Sequence, residues 1–96
     1  MASYGTKVVL HSRSGYRPEM NALIESFIRD GVKFVGVVGN DCEKIEDIID
    51  EIVVGDGNND NFILTSSHPG ESLEEAVEFA RSLSLEYTGD VQIVEF

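Results

Sequence analysis

Four short apolar blocks alternate with three stretches whose apolar residues recur at helical spacing, and this pattern predicts a βαβαβαβ chain. Lys7 to His11 carries Val8, Val9 and Leu10 and stops at Ser12-Arg13-Ser14-Gly15, which reads as a buried strand entering a turn. Pro18 suits the first turn of a helix, where its missing N–H costs nothing. Met20, Leu23, Ile24, Phe27 and Ile28 then fall on one face, and Gly31 closes the helix. Lys33 to Val38 is a second β-branched block, followed by Gly39-Asn40-Asp41, where Asn40 or Asp41 can cap a second helix. That helix has Ile45, Ile48, Ile49 and Ile52 as its stripe and an acidic outer face. Gly55 to Asn61 breaks the pattern, and Phe62, Ile63 and Leu64 form a third block that ends near Thr65. Ser72 with Glu75 fits a capping box ahead of the stripe Leu73, Ala76, Val77, Ala80 and Leu83. Thr88-Gly89-Asp90 is a turn, and Val91 to Phe96 reads as a fourth strand.

Strands alternating with helices imply a mostly parallel sheet joined by right-handed crossovers, and continuous apolar strands need cover on both faces. The expected fold is therefore a three-layer α/β domain, half of a Rossmann-like or flavodoxin-like unit. The expected spatial order is 2-1-3-4, with the first helix opposite the other two. In open sheets of this kind ligands bind beyond the carboxyl ends of the strands where the winding reverses. That order puts the reversal between strands one and three, flanked by the loops Ser12 to Arg17 and Ser66 to Glu71.

Composition narrows the class. At 96 residues, two separate cores are impractical, so residues 1–96 form one domain. Seven Lys plus Arg against 18 Asp plus Glu give a net charge of −11, which repels phosphate backbones and anionic lipid, so neither nucleic acid nor a membrane surface is an expected partner. No apolar run approaches the roughly 20 residues of a membrane-spanning helix. Cys42 is the single cysteine, so no intrachain disulfide can form, and Met1 to Lys7 lacks the apolar core of a secretory signal; a cytoplasmic location is the default expectation.

Candidate chemistry gathers at the expected strand ends. Ser12, Arg13, Ser14 and Tyr16 on one side, with Thr65, Ser66, Ser67, His68 and Glu71 on the other, can hold a small polar ligand, and Arg13 can meet an anionic group. There is no GxGxxG and no Walker pattern, so no nucleotide or other cofactor is expected. Cys42 stands at the start of the second helix, where the dipole favours a thiolate, and His68 is the natural general base for it. In the 2-1-3-4 order, however, strand one separates the two by about 10 Å, and a lone cysteine is more often a small core residue. Asp41, Cys42, His68 and Glu71 are suitable zinc ligand types without the paired spacing of a zinc site, so no metal is expected. A receiver-type phosphorylation domain is disfavoured, because strand one ends in His11-Ser12 and strand three in Thr65 where acidic residues are wanted.

Gly39-x-Asp41-Cys42, Asp47, Asp50, Phe62-x-x-Thr65-x-x-His68-x-x-Glu71 and Glu74-Glu75-x-x-x-Phe79-Ala80-Arg81 together resemble an uncharacterised bacterial domain-of-unknown-function family of small α/β proteins. The first strand and its loop contribute little to the resemblance. It implies the same α/β fold and points to Asp41, Cys42, Thr65, His68 and Glu71, and it brings no activity with it. The expectation is a small non-catalytic binding or protein-interaction domain, with Ser12, Arg13, Ser14, Asp41, Thr65, His68 and Glu71 around a polar ligand. The alternative is a cysteine-dependent or hydrolytic enzyme using Cys42 and His68. The strand 91–96, if it lies at a sheet edge, offers a route to a homodimer.

Overall fold

In the computed structural model, which describes residues 6–55, 63–83 and 91–96, strands and helices follow the expected alternation. They are β1 (Lys7–Ser12), α1 (Glu19–Arg29), β2 (Phe34–Gly39), α2 (Cys42–Gly55), β3 (Leu64–His68), α3 (Leu73–Ser82) and β4 (Val91–Glu95). Residues 56–62, including most of the expected Gly-Asn-Asp loop and Phe62, and the expected turn at Thr88-Gly89-Asp90 lie outside the described residues. No helix among those described is long and apolar enough to cross a membrane.

All four strands are parallel, but their order is β3-β2-β1-β4, not the expected 2-1-3-4. The reason is visible in the strands themselves. β1 and β2, at the centre, are apolar along nearly their whole length: Val8, Val9, Leu10, Phe34, Val35, Val37 and Val38 are all essentially inaccessible. β3, Leu-Thr-Ser-Ser-His, is only partly covered until His68, and a polar strand is tolerated where one side of it faces no neighbour. The 2-1-3-4 order would have put this polar strand in the middle and the apolar β2 at a margin.

Strand order then dictates where the helices go. A right-handed crossover from β1 to β2 and on to β3 moves in one direction and lays α1 and α2 on the same face; the return from β3 to β4 runs the other way and lays α3 on the opposite face. The expected opposition of α1 to the other two helices is thus corrected to α1 with α2 against α3. Two cores follow. Val8, Leu10, Val35 and Val37 pack with Met20, Ile24 and Phe27 of α1 and Ile45 and Ile49 of α2. Val9, Phe34 and Val38 pack with Ala76, Val77 and Ala80 of α3. Odd and even residues of each strand divide cleanly between the cores, as the two-residue period requires.

Local signals behave as their chemistry dictates. Ser72 Oγ accepts from the Glu75 N–H at 3.1 Å while Glu75 Oε1 accepts from the Ser72 N–H at 2.8 Å, a complete capping box that fixes where α3 begins. Lys7, 2% exposed, lies on the α3 face of β1 and donates from Nζ to the Ala80 carbonyl at 2.8 Å, near the negative end of the α3 dipole. The apolar stem fills the second core and the ammonium finds a carbonyl there, which is how a lysine is accommodated in an interior.

In a parallel ladder, alternate residues direct their N–H groups to opposite sides. Leu64 donates to the Lys33 carbonyl at 2.9 Å, so Leu64, Ser66 and His68 turn theirs toward β2, and Thr65 and Ser67 turn theirs to the open edge. Amide hydrogen exchange checks the order directly: Ser66 is expected to be protected and Thr65 and Ser67 to exchange orders of magnitude faster. Equal protection of all three would require a strand on both sides of β3.

Candidate functional site

With this order the winding reverses between β1 and β4, not between β1 and β3. The expected pairing of the Ser12–Arg17 and Ser66–Glu71 loops around one ligand is therefore corrected, because β2 stands between β1 and β3. The carboxyl ends of the strands carry three separate groupings.

The first lies at the reversal. Arg13 and Ser14 from the β1 loop, with Glu95 and Phe96 from the end of β4, line an open cleft of about 400 Å³. Arg13 Nη1 is 3.2 Å from Glu95 Oε1, and the Arg17 guanidinium lies over the Phe96 ring, 4.7 Å from its centre. His11, opposite Glu95 in the β1–β4 register, has its Nδ1 3.7 Å from Glu95 Oε2, too far for a hydrogen bond. That buried nitrogen has no hydrogen-bond partner among the described residues, and neither does the buried Ser12 Oγ. Arg13 and Ser14 were legible as candidates from their loop. Glu95, Phe96 and Arg17 were not, because only the strand order brings β4 beside β1.

The second grouping follows β2. The Tyr16 N–H donates to Asp41 Oδ2 at 3.0 Å, and Asn40 Nδ2 donates to the Arg13 carbonyl at 2.8 Å, so the loops after β1 and β2 are laced together. Asp41 adopts a φ of 60°, a left-handed conformation that aspartate tolerates better than most residues. Gly39, at φ 102°, passes so close to the Ser12 carbonyl that a Cβ there would collide with it. Asp41 is thus committed to loop structure. A shallow cleft of about 440 Å³ runs from Gly39 and Asn40 past Cys42 to Pro69 and Gly70.

Cys42 and His68 are on neighbouring strand ends after all, since β2 pairs with β3. They nonetheless lie on opposite faces of the sheet. Cys42, 4% exposed, belongs to the core under α1 and α2. His68 is opposite Val38, which packs in the α3 core, and its ring stacks edge-on against Phe79 of α3 at 5.1 Å. The sheet separates thiol from imidazole, which removes the proposed Cys42–His68 pair. It equally separates the Asp41, Cys42, His68 and Glu71 set, and no group of three or more His, Cys, Asp or Glu among the described residues could hold a metal ion.

The third grouping is on the α3 face of β3. Ser66 Oγ is 2.8 Å from His68 Nε2, and His68 Nδ1 is 3.1 Å from Glu71 Oε1. Strand alternation sets Ser66 and His68 on one face. The turn His68-Pro69-Gly70-Glu71 then folds Glu71 back, with Gly70 at φ 76° and the Glu71 N–H donating to the His68 carbonyl at 3.2 Å. An ionised carboxylate only accepts, so in the neutral ring Nδ1 carries the proton and Nε2 is left to accept from the serine hydroxyl. The spacing Ser-x-His-x-x-Glu was the available signal for Ser66, once the segment is read as strand. Thr65 takes the other face, where Oγ1 meets Asp50 Oδ1 at 2.8 Å and Glu46 Oε2 at 3.2 Å on α2, away from any strand-end ligand.

A family model described as a domain of unknown function, DUF7684, matches residues 5–94, across every strand and helix. The chain belongs to the DUF7684 family. The match takes in β1 and its loop, where the resemblance read from the sequence was weak. No curated protein and no solved structure matches this DUF7684 domain.

Placement of Cys42 in the core of the DUF7684 domain makes its thiol slow to react. Iodoacetamide is expected to alkylate it far more slowly in the folded protein than in denaturant, with no change in His68→Ala; rapid alkylation that depends on His68 would restore the pair.

Proposed function

We propose that the domain binds a small polar ligand carrying an anionic group at the carboxyl ends of β1 and β4. The observation that carries this reading is the reversal of winding beside Arg13 and Arg17, the position at which open parallel sheets take their ligands. The electrostatics support it. In a chain of net charge −11, Arg13 lines the cleft beside Glu95 and Arg17 lies over the Phe96 ring at its margin, a local attraction for a small anion within a surface that repels large polyanions. Arg13 is two-thirds exposed, so an incoming carboxylate or phosphate can replace Glu95 in a forked hydrogen bond without unfolding anything. The unpartnered Nδ1 of His11 lies next to the same glutamate and gives a second polar contact to satisfy. Phe96, under Arg17, supplies a flat apolar wall.

Titration of the ¹⁵N-labelled protein with inorganic phosphate and with succinate, at constant ionic strength, tests the reading. Saturable shifts confined to residues 11–17 and 95–96 are expected, with binding weakened about tenfold or more in Arg13→Ala. Shifts spread over the surface, or binding that survives Arg13→Ala and Arg17→Ala together, would overturn it.

A further inference from the structure

We propose that Ser66, His68 and Glu71 form an ester-hydrolysing site on the β3 edge, independent of the strand-end cleft, with Ser66 as nucleophile. The connectivity is that of an activated serine. The hydroxyl is within 2.8 Å of Nε2, and the opposite ring nitrogen is held at 3.1 Å by a carboxylate that sets the tautomer and stabilises the imidazolium formed during reaction. His68 is 5% exposed and wedged against Phe79, so its orientation is fixed, whereas Ser66 is only partly buried and can be approached from outside.

Three further features fit this chemistry. β3 is an edge strand, so the N–H of Ser67, the residue after the nucleophile, points away from β2 to the side from which a substrate would come. A backbone N–H at that position is a recurring donor to the oxyanion of acyl transfer. Gly36 lies beside Ser66 on β2, where a Cβ would come within 3.1 Å of the Phe34 ring and 3.3 Å of the Ser66 Oγ, so the glycine makes room for ring and hydroxyl side by side. Phe79, 43% exposed, presents apolar surface next to His68, and the acidic chain repels anions. Together these select an uncharged ester with a small apolar acyl group.

In the reaction, Ser66 Oγ forms a bond to the ester carbonyl carbon as its proton passes to His68 Nε2. The carbonyl π electrons move onto oxygen and return to expel the alkoxide, which takes the proton from Nε2. Water then attacks the Ser66 ester by the same route, its proton passing through His68, and releases the acid and the free serine. Ester and water give acid and alcohol, with nothing else consumed. Glu71 touches no substrate and is a positioning residue.

The test treats the whole protein with p-nitrophenyl acetate and, separately, with an alkyl fluorophosphonate, and locates the adduct by mass spectrometry of intact protein and peptides. A single adduct on Ser66 is expected, absent in Ser66→Ala and formed about 10²-fold more slowly or worse in His68→Ala. Ser26→Ala, on α1 at the opposite face of the sheet, should label as the parent does. Glu71→Ala should slow labelling and remove the protected Nδ1–H proton resonance of His68 while circular dichroism is unchanged. No adduct on Ser66 in the folded parent protein, or an adduct whose rate ignores His68→Gln in a variant that retains its fold, would overturn the proposal.

Discussion

Burial of β1 and β2 on both faces is the constraint from which the rest of the molecule follows. Their apolar residues point alternately into two cores, so each needs a helix layer on either side and a strand on either flank. Once they occupy the centre, β3 and β4 take the margins, right-handed crossovers divide the helices two against one, and the winding must reverse between β1 and β4. Loops that would otherwise be unrelated, those after β1 and at the end of β4, are thereby brought together. The ladder continues past the strands to make this join firm, with the Arg13 N–H donating to the Phe96 carbonyl and the Phe96 N–H to the His11 carbonyl, each at 2.9 Å.

The same constraint frees β3. A marginal strand is covered less and can carry polar side chains on both faces, and here the two faces are used differently. Thr65 ties the strand to the acidic face of α2, whereas Ser66 and His68 turn toward α3 with Glu71 folded back upon them. A buried imidazole with both nitrogens engaged is stable in that setting, and the engagement that satisfies it also leaves Nε2 poised as a base toward a serine hydroxyl. Cys42, by contrast, is taken by the core under α1 and α2 and is shielded by the sheet from the histidine.

Much of this was legible in the chain because short-range chemistry governs it: the helical stripes, the capping box at Ser72 and Glu75, and the parallel alternation all appear where the pattern puts them. Strand order was not, since it is decided by competition among strands for the centre. The relevant signal was nonetheless present. Thr65-Ser66-Ser67-His68 is too polar for a strand flanked on both sides, and taking Phe62-Ile63-Leu64 as the strand concealed that. The site readings inherited the error. Arg13 and Ser14 lie in the loop after β1, as the turn residues there indicate, but their neighbours Glu95 and Phe96 depend on long-range register, which no local pattern reports.

Interstrand nuclear Overhauser contacts in the labelled protein test the central claim, that β1 lies between β2 and β4 with β3 beyond β2. Backbone contacts linking Leu10 with both Val37 and Val94, and Val37 with Ser67, are the predicted result. Direct contacts between β1 and β3 would contradict it, and with it the placing of both the strand-end cleft and the serine–histidine–glutamate site.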